Sequence, residues 1–293
     1  MHKKETNLKH SKIANDMLNY INNNIDTDIN IDQLAVDFGV NKFHLHKVFK
    51  EQMGMNIYET IKSLRLQKAS NLLITNKYST ITQIASMCGY SSQTSFIRAF
   101  KKRFNQTPKI WRKGGYEDYS NEILANSDFE NLKDTDFPNL EPKIVKTQEM
   151  LAYYIRHKGY DKDTKKTWQK MMAWVYSHNI EYYQQIGIYH DNPIITPLKD
   201  CHYVACISPQ EKVDFKDLTL PYFTIPTELC ALFEVEGKYG DILKLIQWVY
   251  HIWLPDSGYE ALATASYSII HKNHFLNDDG IFKLSYYVPI RFV

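Results

Sequence analysis

The sequence predicts a multi-domain chain: an all-helical amino-terminal domain, followed by an α+β domain with an antiparallel sheet and two helices. Three observations support this prediction. A helix-turn-helix pattern occurs twice within the first 113 residues. From residue 143 onward, strand-like alternation is interrupted by two amphipathic helices, and this arrangement also repeats. The chain has 293 residues, which is long enough to bury two separate hydrophobic cores.

Charge separates the two halves of the chain. Residues 1–115 contain 18 of the 35 Lys and Arg but only 8 of the 33 Asp and Glu, a net charge of +10. The remainder has 17 basic and 25 acidic residues, a net charge of −8. No acidic residue lies between Glu59 and Glu117. This asymmetry predicts a polyanion as the partner of the basic half, although a solvated basic surface would have the same composition.

The clearest helix-turn-helix pattern spans Ile81–Lys113. Ala85 and Gly89 are four residues apart, so that a small side chain lets the second helix pack closely and glycine permits a turn with positive φ. Ala35 and Gly39 repeat the pattern 50 residues earlier. Two copies in one arrangement are much more specific than a single one, and they predict two units of the same kind.

Three further features complete the predicted amino-terminal domain, 1–113. Residues 8–24 have apolar side chains at helical spacing and predict a helix before the first unit. Asp32 is predicted to cap the helix that follows. Residues 56–75 predict a long amphipathic helix that connects the two units and holds them at a fixed separation.

Residues 8–113 resemble the DNA-binding domain of the AraC/XylS family. Trp111 stands where that family usually has Tyr. The residues that carry the resemblance are Arg65, Leu66, Ala69, Leu72, Leu73, Ile84, Ala85, Gly89, Tyr90, Ser92, Gln93, Phe96, Arg98, Phe100, Lys101, Phe104, Pro108, Trp111 and Arg112.

The resemblance implies two recognition helices that enter successive major grooves of promoter DNA, with the protein bound as a monomer. The first would offer Asn41, Lys42, Phe43, His46 and Lys47, and the second Ser92, Gln93, Thr94, Ser95 and Arg98. Gln and Arg can bridge two groups of adenine and guanine, and Phe can contact a thymine methyl. Two alternatives stay open, Phe43 in the core and His46 on a solvated surface. Basic side chains nearby are expected to bind phosphates: Lys50, Lys101, Lys102, Arg103, Lys109 and Arg112.

Residues 114–141 are predicted to form a linker with one short helix at 121–125, because this acidic stretch has weak periodicity and its end lies between Pro138 and Pro142. The second domain is predicted over 142–293. Gly159 and Gly237, 78 residues apart, each follow a strand and precede a helix that bears Trp. Two such halves predict an antiparallel sheet with both helices on one face and an aromatic cleft between the halves.

Residues 142–293 resemble the GyrI-like domain, a small-molecule-binding fold. The resemblance is carried by Gly237, Tyr239, the run Trp253–Pro255, the run Ser257–Tyr259 and the run Tyr287–Ile290. With the DNA-binding domain first, the arrangement resembles Rob-type regulators, and it implies a hydrophobic small-molecule effector. The candidate ligand-binding residues are Tyr153, Trp168, Phe233, Tyr239, Trp248, Tyr267 and Ser268.

Ser268 departs from the family, which often has a Glu at this position to pair with cationic ligands. A serine cannot supply that charge, so the sequence argues against a cation sensor. Glu234 and Glu236 could substitute, but strand alternation puts both on one face, which is expected to be the solvent face.

Together these observations predict a bacterial transcription regulator, an activator whose partners are promoter DNA and RNA polymerase. Two alternatives for the second domain stay open: a protein-interaction module without a ligand, and a GyrI-like hydrolase. We expect no enzymatic activity, no catalytic residue, no cofactor and no metal site, since Cys201, His202 and Cys206 lack a second ligand pair. Four cysteines, no signal peptide and no apolar run of membrane-spanning length predict a cytoplasmic protein with no membrane partner.

Overall fold

The computed structural model describes residues 2–127, 137, 140–210 and 220–292. The chain forms two compact units, one up to Gly115 and one from Tyr116 onward, with the short segment 220–223 grouped with the first. None of the helices in these described ranges is long and apolar enough to cross a membrane.

Up to Gly115 the secondary structure of the first unit is helical, and it contains the two predicted helix-turn-helix units. These are the pairs α2–α3 and α5–α6, and α4 lies between them and contacts α3, α5 and α6. The turns contain Gly39 and Gly89, whose φ angles of 64° and 72° are positive as predicted. The helices are α1 (His2–Asn23), α2 (Ile31–Asp37), α3 (Lys42–Met53), α4 (Ile57–Thr75), α5 (Ile81–Met87), α6 (Gln93–Phe104) and α7 (Pro108–Ile110).

Polar side chains at the N-caps determine where these helices begin. Asn30 accepts hydrogen bonds from the backbone of Asp32 and Gln33, so the cap of α2 is Asn30 and the prediction of Asp32 was wrong. The carboxylate of Asp32 pairs instead with Lys42 at 2.9 Å. The helices α3 to α7 are capped in the same way, by Asn41, Asn56, Thr80, Ser92 and Thr107.

The core of the second helix-turn-helix is aromatic. Phe96, Phe100 and Phe104 follow each other at four-residue spacing on α6 and are all buried, with adjacent ring centroids 5.6 and 4.5 Å apart. Trp111 is completely buried against the last two rings, and its indole Nε1 donates to the carbonyl oxygen of Ser70 on α4. This contact ties the end of the unit to the connecting helix.

A wide π-type turn, Trp111–Gly115, follows α7. Within it, the backbone leaves helical geometry at Gly114, where φ is 110°. The helix α8 (Tyr116–Ala125) then begins the second unit. It is longer than the five-residue helix predicted within 114–141, and it packs on the second unit, because Ser120 and Leu124 are buried there. The predicted domain boundaries stay predictions.

The second unit is an antiparallel sheet with helices. Its helices are α9 (Thr164–Ser177), α10 (Asp241–Trp248) with a π-type turn at Val249–Trp253, and α11 (Leu254–Asp256). Its strands are β1 (Lys143–Lys146), β2 (Met150–Lys158), β3 (Tyr183–Tyr189), β4 (His202–Pro209), β5 (Tyr222–Ile225), β6 (Leu229–Lys238), β7 (Tyr259–Ala261), β8 (Ser266–Lys272) and β9 (Ile281–Phe292). The short strands β1 and β7 lack a predicted counterpart in the sequence.

The predicted pseudo-repeat is present. The order of strands is β1-β6-β9-β8-β3-β4-β2-β5, with β7 paired to β9. One half is β2-α9-β3-β4, the other is β6-α10-β8-β9, and the two halves join where β3 pairs with β8. Gly187 and Ser268 face each other at this seam. The fold is therefore the predicted α+β architecture, with the centre of the sheet at the junction of the halves.

Candidate functional site

The amino terminus of α3 presents the first group of predicted DNA-binding residues. Asn41 is the N-cap, and its side-chain oxygen accepts from the backbone of His44 at 2.8 Å. Phe43 is 87% exposed, which rules out the alternative of a core residue. Lys42 is half-exposed in its ion pair with Asp32. With this exposure, the ring of Phe43 contributes little to the core of the unit that the structure describes.

Farther along α3, His46 and Lys47 lie on its accessible side. The ring of His46 is 5.6 Å from that of Tyr58, so this side chain is half-buried and not fully solvated. Lys47 is exposed and 3.9 Å from Glu51, a distance at which the ion pair is weak. Both side chains can therefore turn toward a ligand at small cost.

The amino terminus of α6 has the equivalent arrangement. Ser92 is the N-cap and accepts from the backbone of Ser95, whose hydroxyl in turn donates to the Ser92 carbonyl oxygen. Gln93 is exposed, and its side-chain oxygen accepts from the hydroxyl of Thr82 on α5 at 3.0 Å. Thr94 is exposed as well. Ser92 and Asn41 therefore serve first as structural caps, and Gln93 is already oriented by the preceding helix.

Basic side chains continue this surface along α6. Arg98, Lys101 and Lys102 are exposed, and they form no ion pair within the described part of the chain. Arg98 lies one turn after Thr94, on the same side of the helix. The positive charge of this surface is thus not neutralised by the unit itself, and it is available to an anionic partner.

The predicted ligand-binding residues of the second unit do not converge on one place. Trp168 donates through Nε1 to the hydroxyl of Tyr203, and Tyr153 packs on Trp174. Phe233 on β6 packs on Trp248, the last residue of α10. Tyr267 alternates with Ser268 along β8, so it points to the opposite face of the sheet, where it stacks on Tyr287.

Ser268 is completely buried at the seam of the two halves. Its hydroxyl donates to the hydroxyl of Tyr189 at 3.4 Å, and Tyr189 shares a further hydrogen bond with Tyr160. The rings of Tyr160 and Tyr189 are 5.9 Å apart, and Tyr203 lies within 5.7 Å of both. Three packed tyrosine side chains therefore lie beside the buried hydroxyl of Ser268.

A cavity of about 510 Å³ opens beside these tyrosines. Tyr160 and Tyr239 form its aromatic floor, and α8 forms one wall through Tyr119 and Ile123. Of the predicted ligand-binding residues, Tyr239 lines this cavity. The remaining lining residues are Glu122, Asn126, Ser127, Asp161, Lys162, Pro197, Leu198 and Lys199.

Sequence reasoning missed Tyr160 and α8. The signal for Tyr160 was present, because it follows Gly159 in the repeat whose second copy contains Tyr239. The two tyrosines are thus approximate counterparts in the two halves. No comparable signal marked α8, whose residues looked like part of an acidic linker.

The floor of the cavity carries no ionised group at neutral pH. Burial raises the pKa of Tyr160 well above its ordinary value and that of Tyr189 to about 12. Behind Tyr239 lies His274, at a ring distance of 5.4 Å, and burial lowers the pKa of this imidazole to about 4. These side chains are therefore neutral hydrogen-bonding groups.

Two other predictions concern acids and metal ligands. Glu234 and Glu236 are both exposed, as expected, and Glu234 accepts a hydrogen bond from Ser285 at 2.8 Å. Cys201 and Cys206 are buried, and His202 pairs with Asp191. No cluster of three or more His, Cys, Asp or Glu that could hold a metal ion occurs among the residues that the structure describes.

Comparison with known proteins supports both halves of the fold. Residues 140–291, more than half of the chain, match the GyrI-like small molecule binding domain, and residues 34–114 match a helix-turn-helix domain. The chain is 37% identical to the "Probable transcription factor PqrA" of Proteus vulgaris over 105 residues. These residues are 35% of this chain and 85% of that protein.

Two relatives that are longer than PqrA are similar to this chain over about 100 residues. The xylose operon regulatory protein of Escherichia coli is 39% identical over 95 residues, 32% of this chain and 24% of that protein. The transcriptional regulator Rob of Salmonella typhimurium is 35% identical over 102 residues, 34% of this chain and 35% of that protein. This chain therefore spans about a quarter to a third of these two relatives. The chain belongs to the GyrI-like family through its second unit, and its first unit is the helix-turn-helix domain of AraC-type regulators.

Proposed function

We propose that this protein is a sequence-specific transcription regulator that binds DNA through α3 and α6 and senses a small molecule through its second unit. The observation that carries the DNA-binding part is the pair of equivalent, capped helices whose exposed faces hold Phe43 and Arg98. The AraC-type relatives are transcription regulators, which supports the same role here.

In this proposal, the two helices read successive major grooves while α4 keeps them at a fixed separation. A monomer can then recognise a bipartite site, because both reading helices belong to one rigid unit. Phe43, Gln93 and Arg98 contact base edges. The proposal includes activation by contact with RNA polymerase bound at the promoter.

The sensor part of the proposal rests on the cavity beside Tyr160 and Tyr239. Its volume of about 510 Å³ is within the range of small-molecule sites in proteins. The family of the second unit is described as small-molecule binding, which agrees with this use of the cavity. A hydrolase has less support, because Ser268 stands where the family often has a Glu.

Salt dependence tests the DNA-binding part. If the six predicted phosphate partners each neutralise one phosphate, the logarithm of the affinity for duplex DNA should fall with the logarithm of salt concentration with a slope of about −5. Fluorescence anisotropy with a labelled duplex of random sequence measures this slope. A slope near zero would contradict the proposal.

Arg98 and Lys102 should differ in what they contribute. Arg98→Ala should cost about 1–3 kcal/mol at one base position, because a bidentate contact to guanine is lost there. Lys102→Ala should weaken all sequences alike and lower the magnitude of the salt slope by about 1. Competition among single-base variants of a site selected from a random library measures both. A uniform loss for Arg98→Ala would exclude its role in base reading.

A further inference from the structure

We propose that the second unit recognises an uncharged aromatic molecule, held between the floor of Tyr160 and Tyr239 and the wall formed by α8. The inference rests on the proposed sensor function and names the class of its ligand. It assigns to α8, which lies outside the sheet-and-helix repeat, a direct part in the ligand site.

The aromatic and apolar side chains that line the cavity favour aromatic ligands. Tyr239 lines the cavity from one half of the repeat, and Tyr160, which is only 2% exposed, lines it from the other. Tyr119 and Ile123 also line the cavity; they are four residues apart on α8 and therefore project from the same side of the helix. Aromatic rings prefer offset-stacked or edge-to-face partners, and this set of side chains offers both surfaces to one ligand.

The wall is held in place by contacts outside the cavity. The side-chain amide of Gln247 on α10 donates to the hydroxyl of Ser120 at 3.0 Å and to the side-chain oxygen of Asn121 at 2.8 Å. The ring of Tyr116 lies edge-on to His251, with centroids 4.7 Å apart. These contacts fix the position of α8, and its residues Tyr119 and Ile123 line the cavity.

The charged side chains that line the cavity sum to zero, which favours a ligand without net charge. The floor is neutral, and Ser268 lies behind Tyr189, where a carboxylate would be needed to pair with a cation. At the rim, the acids Glu122 and Asp161 are matched in number by Lys162 and Lys199. A ligand that buries a charge against Tyr160 would lose its hydration without gaining a partner, which is strongly unfavourable.

Hydrogen bonding then selects among neutral molecules. The tyrosine hydroxyls can donate and accept. Asn126 also lines the cavity; its amide nitrogen donates to the carbonyl oxygen of Glu122, and its side-chain oxygen can accept from a ligand. Aromatic molecules that carry un-ionised hydroxyl or carbonyl groups match these partners better than plain hydrocarbons. Phenols and related oxygenated aromatics are the class that fits.

Three bicyclic probes of similar size and different charge test this inference: 2-naphthol, 2-naphthoate and N-methylquinolinium. Isothermal titration of the full chain at pH 7 should give 2-naphthol at least about tenfold tighter binding than either ion, a difference of about 1.4 kcal/mol. Tyr119→Ala should weaken 2-naphthol about five- to tenfold, since one aromatic face is lost. Tyr119→Phe should bind nearly as the wild type.

Tyr176→Ala is the matched control, because this tyrosine of the same unit is 72% exposed on α9 and does not line the cavity. It should leave the affinity unchanged. Tightest binding of the cation or the anion would overturn the inference while leaving the sensor function intact. Wild-type affinity in Tyr119→Ala would exclude α8 from the site. If none of the three probes binds, the inference fails, and thermal-shift screening of chemically diverse molecules decides separately whether the unit senses any ligand.

Discussion

Replacement of Trp111 by alanine is expected to lower the free energy of unfolding of the first unit by about 3–5 kcal/mol. The side chain is fully buried, its ring lies 4.6 Å from Phe104 and 5.6 Å from Phe100, and its indole donates to Ser70. Alanine would leave a large cavity at the junction of α4, α6 and α7. Denaturant unfolding of the whole chain, followed by far-UV circular dichroism, measures the loss in the helical transition.

Trp111→Phe separates the two contributions of this side chain. Phenylalanine keeps most of the packing but removes the Nε1 donor, so that the carbonyl oxygen of Ser70 loses its hydrogen bond from the indole. The expected cost is about 1–3 kcal/mol, clearly below that of alanine. An alanine variant within about 1 kcal/mol of the wild type would show that the site collapses and that Trp111 does not anchor the unit.

Gly89→Ala is expected to cost about 2–4 kcal/mol in the same transition, from two causes. The backbone at Gly89 has φ of 72°, a left-handed conformation that costs an L side chain about 1–2 kcal/mol. In addition, a Cβ there would lie 2.7 Å from Nη2 of Arg65. Arg65 would have to leave the carbonyl oxygens of Ile25 and Thr27, to which it donates at 3.0 and 2.6 Å.

The repeated fold supplies the control for this experiment. Gly39 has nearly the same φ, 64°, but a Cβ there would meet nothing within 4 Å. Gly39→Ala should therefore cost only the backbone term, about 1–2 kcal/mol. In an Arg65→Met background, Gly89→Ala should become as mild as Gly39→Ala, and a double-mutant cycle measures the difference. Equal costs for the two glycines in the wild-type background would refute the role of Arg65.

The two units were predictable to different degrees. In the first, the signals are local: the spacing of Ala85 and Gly89, the capping residues, and the buried spacing of Phe96, Phe100 and Phe104 on one helix. These signals placed the helices within a few residues. They failed at Asp32, because Asn30 two residues earlier offered the same chemistry at the correct backbone position.

In the second unit, the pattern of strands and helices was predictable, but the packing of the candidate ligand-binding residues was not. Tyr153, Phe233, Trp248 and Tyr267 do not line the cavity, and Trp168 contacts Tyr203 in the tyrosine cluster beside it. Their part in ligand binding stays a prediction. Tyr267 and Ser268 are neighbours in the chain and lie on opposite faces of the sheet. An aromatic side chain has the same periodicity whether it lines a cavity or fills a core, so sequence spacing cannot distinguish these two environments.

Period, capping and glycine spacing were sufficient for the fold class, the two helix-turn-helix units and the repeat in the sheet. Each of these patterns is local, and a repeat is a second copy of the same local pattern. The docking of α8, the pairing of Tyr160 with Tyr239 and the burial of Ser268 behind Tyr189 emerged only from packing in three dimensions. Each of these contacts joins segments that are tens of residues apart in the chain. The free energy gained by burying their side chains depends on which surfaces meet in the folded protein.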